Sequence, residues 1–165
     1  MTDATEAAAR DAAAIAAGVP SRALMQRAGA AAAAELARRF GDRLAGGVAV
    51  WAGPGNNGGD AWVVAGALLR LGIAVRVAPV GGDAPRTVDA AFERERVLAA
   101  HAVEPPRGDE ALVVDGVLGT GAQGAPRGWA ADAVRAMARR GSGGAAVVAL
   151  DVPTGLHATT GETFG

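Results

Sequence analysis

The chain has 165 residues, half of them hydrophobic, and a formal net charge of -1. That length suits one domain with a sizeable core, and the near-neutral balance gives no reason to expect nucleic acid or an anionic membrane as a partner. Cysteine and lysine are both absent, all 16 basic residues being arginines, which excludes thiolate catalysis, cysteine-ligated zinc, Schiff-base chemistry and a Walker-type lysine together.

In chain order, Asp3 followed by Glu6 reads as a capping box that opens a helix to about Ala17. Gly18 and Pro20 end it. Ser21 caps a second helix, "RALMQRAGAAAAAELARRF", closed by Gly41; its alanine-rich face predicts close helix approach. "GVAVWA", Gly47–Ala52, is a short apolar run of buried-strand type. A glycine loop, "GPGNNGGD", follows, then a helix over "DAWVVAGALLRLG" that stops at Gly72. "IAVRVAPV" is a second strand, and "TVDAAFERERVLAAHA" an amphipathic helix with its charges on one side. "ALVVDGV" is a third strand, followed by the loop "GTGAQGAPRG" and a helix over "WAADAVRAMARRG". "AAVVALDV" is a fourth strand, and "PTGLHATTGETFG" closes the sequence.

Strands alternating with helices make βαβ units, hence an α/β fold with a mainly parallel sheet covered on both faces. The strands are continuous apolar runs, which predicts full burial. Four strands are few for such a sheet, so the single domain over residues 1–165 is expected to lack its last strands and helix. No stretch approaches the roughly eighteen apolar residues of a membrane span, and the acidic N-terminus is unlike a secretory signal. A soluble cytoplasmic protein is the expectation.

Ligands of parallel sheets bind at the carboxyl ends of the strands, where "GPGNNGGD", "DGVLGTGAQGAPRG" and "DVPTGLHATTGE" are predicted to meet. Gly53, Gly55 and Gly58 have dinucleotide-fingerprint spacing, but the second strand ends "VAPVGG" and the acid Asp83 comes late for a ribose. Asp60, read in the first turn of its helix, would occupy the positive end of the dipole and repel a pyrophosphate. The first loop is better suited to a cation or sugar hydroxyls. Gly119, Gly121 and Gly124 repeat the spacing with Arg127 following, a pattern that suits an anion nest. Asp115 and Asp151 end apolar strands; each is explained by loop N–H partners or, with Asn57 and Thr154, by a hard cation such as potassium or magnesium. His101 reads as a helix-end surface residue and His157 as a loop residue. Trp51, Trp62 and Trp129 read as packing.

"SRALMQRAG", "GPGNNGGDAWVVA", "VVDGVLGTGAQG" and "LDVPTGLHATTGE" in this order resemble the NAD(P)H-hydrate epimerases, the YjeF N-terminal domain family. The resemblance covers nearly the whole chain. It implies a Rossmann-like three-layer αβα sandwich, usually a homodimer, that interconverts the R and S epimers of hydrated NADH and NADPH (NADHX and NADPHX). A separate ATP- or ADP-dependent dehydratase then restores the S form. It further implies that Asn56, Asn57, Gly58, Gly59 and Asp60 contact the hydrate. Gly119, Thr120, Gly121, Ala122, Gln123, Gly124 and Ala125 would cradle its phosphates. Asn57, Asp115 and Thr154 would bind one potassium ion per subunit, and Asp151 would face the reacting ring as the acid/base group. Thr154 stands where the family commonly has serine, and Ala61 where glycine is frequent. Family members run on past the "TGE" loop. A non-catalytic nucleotide-binding module and an NAD-dependent oxidoreductase are the alternatives.

Overall fold

A computed structural model describes residues 4–122 and 124–164. The capping residue expected at Asp3 and the loop residue Gln123 lie outside them. The elements are α1 (Ala4–Ala16), α2 (Ser21–Leu44), β1 (Val48–Ala52), α3 (Asn56–Arg70), β2 (Val75–Pro79), α4 (Val88–Ala100), β3 (Leu112–Gly116), α5 (Trp129–Ser142) and β4 (Ala146–Ala149). The four strands form one parallel sheet in the order β2-β1-β3-β4.

Side chains alternate across a strand, and here the alternation divides two cores. Val48, Val50, Val75, Val77, Leu112 and Val114 face one layer, where they pack with Leu36 of α2, Val64 and Leu68 of α3, and Val97 of α4. Ala49, Trp51 and Val113 face the other, against Ala130, Ala133 and Met137 of α5. The result is the expected three-layer αβα arrangement. Burying one such side chain fully contributes roughly 1.5–3 kcal/mol, so β1 and β3, buried along their whole length, anchor the domain. The small-residue face of α2 does permit close approach: a Cβ added at Gly29 would lie 2.5 Å from the Cβ of Val63 on α3.

The structure corrects five expectations. Ser21 does not cap α2: it is the first helical residue, Pro20 holds the N-cap position, and the Ser21 hydroxyl donates to Asp89. Gly41 does not close α2, which continues to Leu44 through a break at Phe40 (φ -122, ψ 22). Full burial fails for β2 and β4, the two outer strands of the sheet; Val147 of β4 is 45% exposed. The charges of α4 are not all on one side, because Glu93 is buried and accepts hydrogen bonds from Gln26 Nε2 (2.6 Å) and Arg96 Nε (2.7 Å). Finally, α3 starts at Asn56, so the asparagine loop is itself the first helical turn and Asp60 lies beyond it.

Candidate functional site

The site begins with glycines that let backbone touch backbone. The Gly53 N–H donates to the Gly116 carbonyl at 2.9 Å. A Cβ at Gly53 would sit 1.9 Å from the Val117 carbonyl oxygen, and one at Gly58 1.8 Å from the Gly53 carbonyl oxygen. Only residues without side chains allow α3 to start this close to the turns after β1 and β3.

That contact carries Asn57 into the edge of the sheet. Its Nδ2 donates to the Leu118 carbonyl at 3.0 Å, while its buried Oδ1 has no partner. Asp115, buried at the end of β3, accepts from the Val117 N–H (3.1 Å), the Thr154 N–H (2.8 Å) and the Thr154 hydroxyl (2.8 Å). The Thr154 Oγ1 in turn accepts from the Leu118 N–H at 3.1 Å. Asn57, Asp115 and Thr154 therefore form one oxygen-rich hub, as their residue types led one to expect. All three donors to the carboxyl are uncharged, and among the described residues no cationic side chain pairs with it. The donor set is hard oxygen with one formal charge, which fits a monovalent hard cation better than zinc. Among the described residues no cluster of three or more His, Asp or Glu side chains is arranged to hold a metal ion. The orphaned Asn57 Oδ1 is the observation that favours a cation there. Leu118, which contributes both backbone groups, is a member of the hub with no side-chain signature in the sequence.

Asp151 stands beside the hub, exposed, not within it. Its Oδ2 accepts from the Thr120 N–H at 2.7 Å. A Cβ at Gly119 would lie 2.6 Å from that oxygen and 3.3 Å from the Asn57 Cβ, so this glycine keeps the three segments in contact. Asp151 has φ +61, the left-handed region, uniquely for a non-glycine among the described residues. Aspartate and asparagine enter this region more readily than other side chains. The strain, of order 1–3 kcal/mol, is typical of sites where geometry serves function.

Asp60 corrects the dipole argument. The first turn of α3 holds no acid, so the helix N-terminus is not neutralised as expected. Instead burial, then the charge of Asp151 and then that of Asp11, push the Asp60 carboxyl up from 3.8 to about 7. The folded state thus prefers the protonated form. The stability that Asp60 contributes is complete below about pH 4 and lost as pH rises through 7. Melting temperature measured across this window should fall more steeply for the wild type than for Asp60→Asn; parallel curves would refute the raised value.

Asn56 is exposed, whereas Gly58 and Gly59 are buried. A Cβ at Gly59 would press within 2.6 Å of the Met25 Cε. These two glycines pack. Thr120, Gly121, Ala122, Gly124 and Ala125 are exposed along the second glycine loop, with Gly119 half-buried at its root and Arg127 exposed before α5. A crevice of about 230 Å³, its open mouth included, separates this loop from the segment Val152–Leu156 and Phe164. His157 is a loop residue as read: its Nδ1 accepts from the Thr159 and Thr160 N–H groups (3.3 and 3.1 Å), and its ring lies 5.7 Å from Phe164. His101 caps the end of α4. Trp51 and Trp62 are buried core, and Trp129 packs against the α5 core.

Comparison with known proteins bears on what this arrangement does. The family model described as YjeF-related protein N-terminus matches residues 21–165. The bifunctional NAD(P)H-hydrate repair enzyme Nnr of Thermanaerovibrio acidaminovorans is 42% identical over 94% of this chain, which spans 31% of that protein. The NAD(P)H-hydrate epimerase of Limosilactobacillus reuteri is 35% identical over 90% of this chain and 70% of its own length. The crystal structure of the yeast protein ynu0, YNL200c, superposes with a TM-score of 0.80 at 22% identity, covering 95% of this chain and 72% of the yeast chain. That match shows the shared fold. No helix among the described residues is long and apolar enough to cross a membrane.

Proposed function

The chain belongs to the family of YjeF-related protein N-termini, and on that premise we propose that it is an NAD(P)H-hydrate epimerase, interconverting the R and S forms of NADHX and NADPHX. The observation that carries the reading is an exposed carboxyl, Asp151, held in the left-handed region against the Asn57 hub at the Gly119–Thr120 turn. Asp151 is exposed and accepts the Thr120 N–H at 2.7 Å. Asp60 holds its proton up to about pH 7. The relatives named above as repair enzyme and epimerase supply the substrate class.

C6 of the hydrate carries a hydroxyl beside the ring nitrogen. Protonation of that hydroxyl lets the nitrogen lone pair expel water, leaving a planar iminium. Water then adds to the opposite face and returns a proton, so no redox partner is consumed. One group within hydrogen-bond reach must give and take that proton; Asp151 is that group, and its charge acts on the half-buried Asp60. Asn56 and the exposed residues Thr120, Gly121, Ala122, Gly124 and Ala125 hold the rest of the substrate, the loop N–H groups and Arg127 facing its phosphates; Gln123 is assigned to the same role on the family resemblance alone. Potassium bound by Asn57, Asp115 and Thr154 would supply positive charge at the hub and tie three loops together. A homodimer, a dehydratase acting on the S form and a cytoplasmic location complete the proposal.

The test is to incubate the purified chain with the R epimer of NADHX at mildly alkaline pH, in potassium and in potassium-free buffer. The S epimer is followed by chromatography against a no-protein control. Acceleration is expected, with lower activity and a lower melting temperature when potassium is replaced by choline. A folded chain that gives no acceleration would overturn the epimerase, and identical behaviour in the two buffers would overturn the ion.

A further inference from the structure

We propose that the hollow at the carboxyl ends of β1 and β2 receives the adenosine end of the nucleotide, with Arg94 and Asp83 reading the ribose 2′ position. Its substrate class rests on the epimerase reading. The hollow measures about 210 Å³ with its open mouth included, and its lining includes Gly53, Pro54, Pro79, Asp83, Pro85 and Arg94. Most of that space is open to solvent, so the hollow is a shallow seat for one end of a longer molecule rather than an enclosed pocket.

Its walls are mainly apolar, and two opposite charges face it without pairing. Among the described residues the Arg94 side chain makes no hydrogen bond or ion pair, although the residue is half-buried. Arg96, two residues on, pairs with Glu93 at 2.6 Å. The guanidinium nitrogens themselves are not buried; the unpaired charge stands at the open mouth of the hollow, within reach of an anion supplied from outside.

The position is the one that reads ribose in parallel sheets, where an acid after the second strand binds the 2′-hydroxyl or an arginine the 2′-phosphate. Asp83 comes late in sequence, but β2 ends at Pro79 and the chain then folds back. The Arg86 N–H donates to the Pro54 carbonyl at 2.7 Å, which returns this segment to the first glycine turn. A Cβ at Gly81 would lie 2.9 Å from Trp129, the first residue of α5 after the second glycine loop. The hollow therefore adjoins the loop assigned to the phosphates. Arg94 attracts a 2′-phosphate, whereas exposed Asp83 accepts from a free 2′-hydroxyl and repels a phosphate. The arginine is the less hydrated of the two and dominates, so NADPHX is preferred over NADHX.

The experiment is calorimetric titration of the wild type, Arg94→Gln and Asp83→Asn with adenosine 2′,5′-bisphosphate and with adenosine 5′-monophosphate at fixed salt. The bisphosphate should bind more tightly. Arg94→Gln should weaken it about tenfold or more, well beyond any change for the monophosphate, and Asp83→Asn should tighten it. Wild-type protein that binds neither probe, or an Arg94 variant that weakens both alike, overturns the subsite. Epimerisation of NADHX and NADPHX by the same proteins keeps the two ideas apart. Arg94-dependent bisphosphate binding without epimerisation retains the subsite and removes the enzyme. An active enzyme whose bisphosphate binding ignores Arg94 does the reverse.

Discussion

Replacing Asp151 with asparagine should slow epimerisation about 10²–10⁴-fold, the usual contribution of a general acid–base group, with little change in stability. The geometry allows this separation. Asp151 is exposed and left-handed at φ +61, and asparagine tolerates that region as aspartate does. An asparagine Oδ1 can still accept from the Thr120 N–H, the bond that fixes the side chain at 2.7 Å. What disappears is the capacity to exchange a proton. Alanine would confuse the result, because it adds backbone strain and leaves the Thr120 N–H without its acceptor. The decisive pair of measurements is the kcat of Asp151→Asn on NADHX and its melting temperature. Undiminished kcat would remove Asp151 from the chemistry; a collapsed melting temperature would make it a structural residue.

Gly58→Ala should cost about 3 kcal/mol or more, at the upper end of overpacking effects, because its Cβ would sit 1.8 Å from the Gly53 carbonyl oxygen. That atom belongs to backbone packed between β1 and β3 and has nowhere to move. For a chain of this size the loss corresponds to a fall in melting temperature of roughly 6–12 °C. Gly55→Ala, three residues earlier, is the control: nothing lies within 4 Å of its Cβ position and its φ is -96. It should stay within about 1 kcal/mol of wild type. Thermal melts of the two variants decide the matter, and equal values would mean that α3 can slide off the turn at no cost. Activity should fall with Gly58→Ala as well, since a displaced α3 withdraws Asn57 from Leu118.

The apolar runs at Val48–Ala52 and Leu112–Gly116 made the central strands legible in the sequence, and the rule that loops meet at the carboxyl edge placed Asn57, Asp115 and Thr154 together correctly. The start of α3 was not legible. Asparagine and glycine are weak helix formers, and the turn they make is held by contacts with Gly53 that no local pattern reveals. The same error put Asp60 at the helix dipole instead of in the half-buried place where its proton is retained. Glu93 was misplaced because an acid in an amphipathic helix reads as solvated, and its partner Gln26 is 67 positions away. Leu118 was missed because its contribution is backbone. The quoted motifs, taken in order, identified the family where composition and spacing had left several chemistries open.

The hub joins parts of the chain that are remote in sequence. Asn57 reaches Leu118 across 61 positions, and Asp115 reaches Thr154 across 39. Each bond spans a crossover of the parallel sheet, so each becomes possible only after the loop-closure entropy of the intervening strand and helix has been overcome. Local helices can flicker into existence early, but they bring none of these groups together. The proton chemistry and ion binding proposed for this site would therefore be properties of the completed topology, and a nascent or partly collapsed chain leaves Asp115 without the partners the hub gives it. Anything that binds the finished hub would also bias folding toward it by mass action, so a ligand of the hub would double as a folding aid.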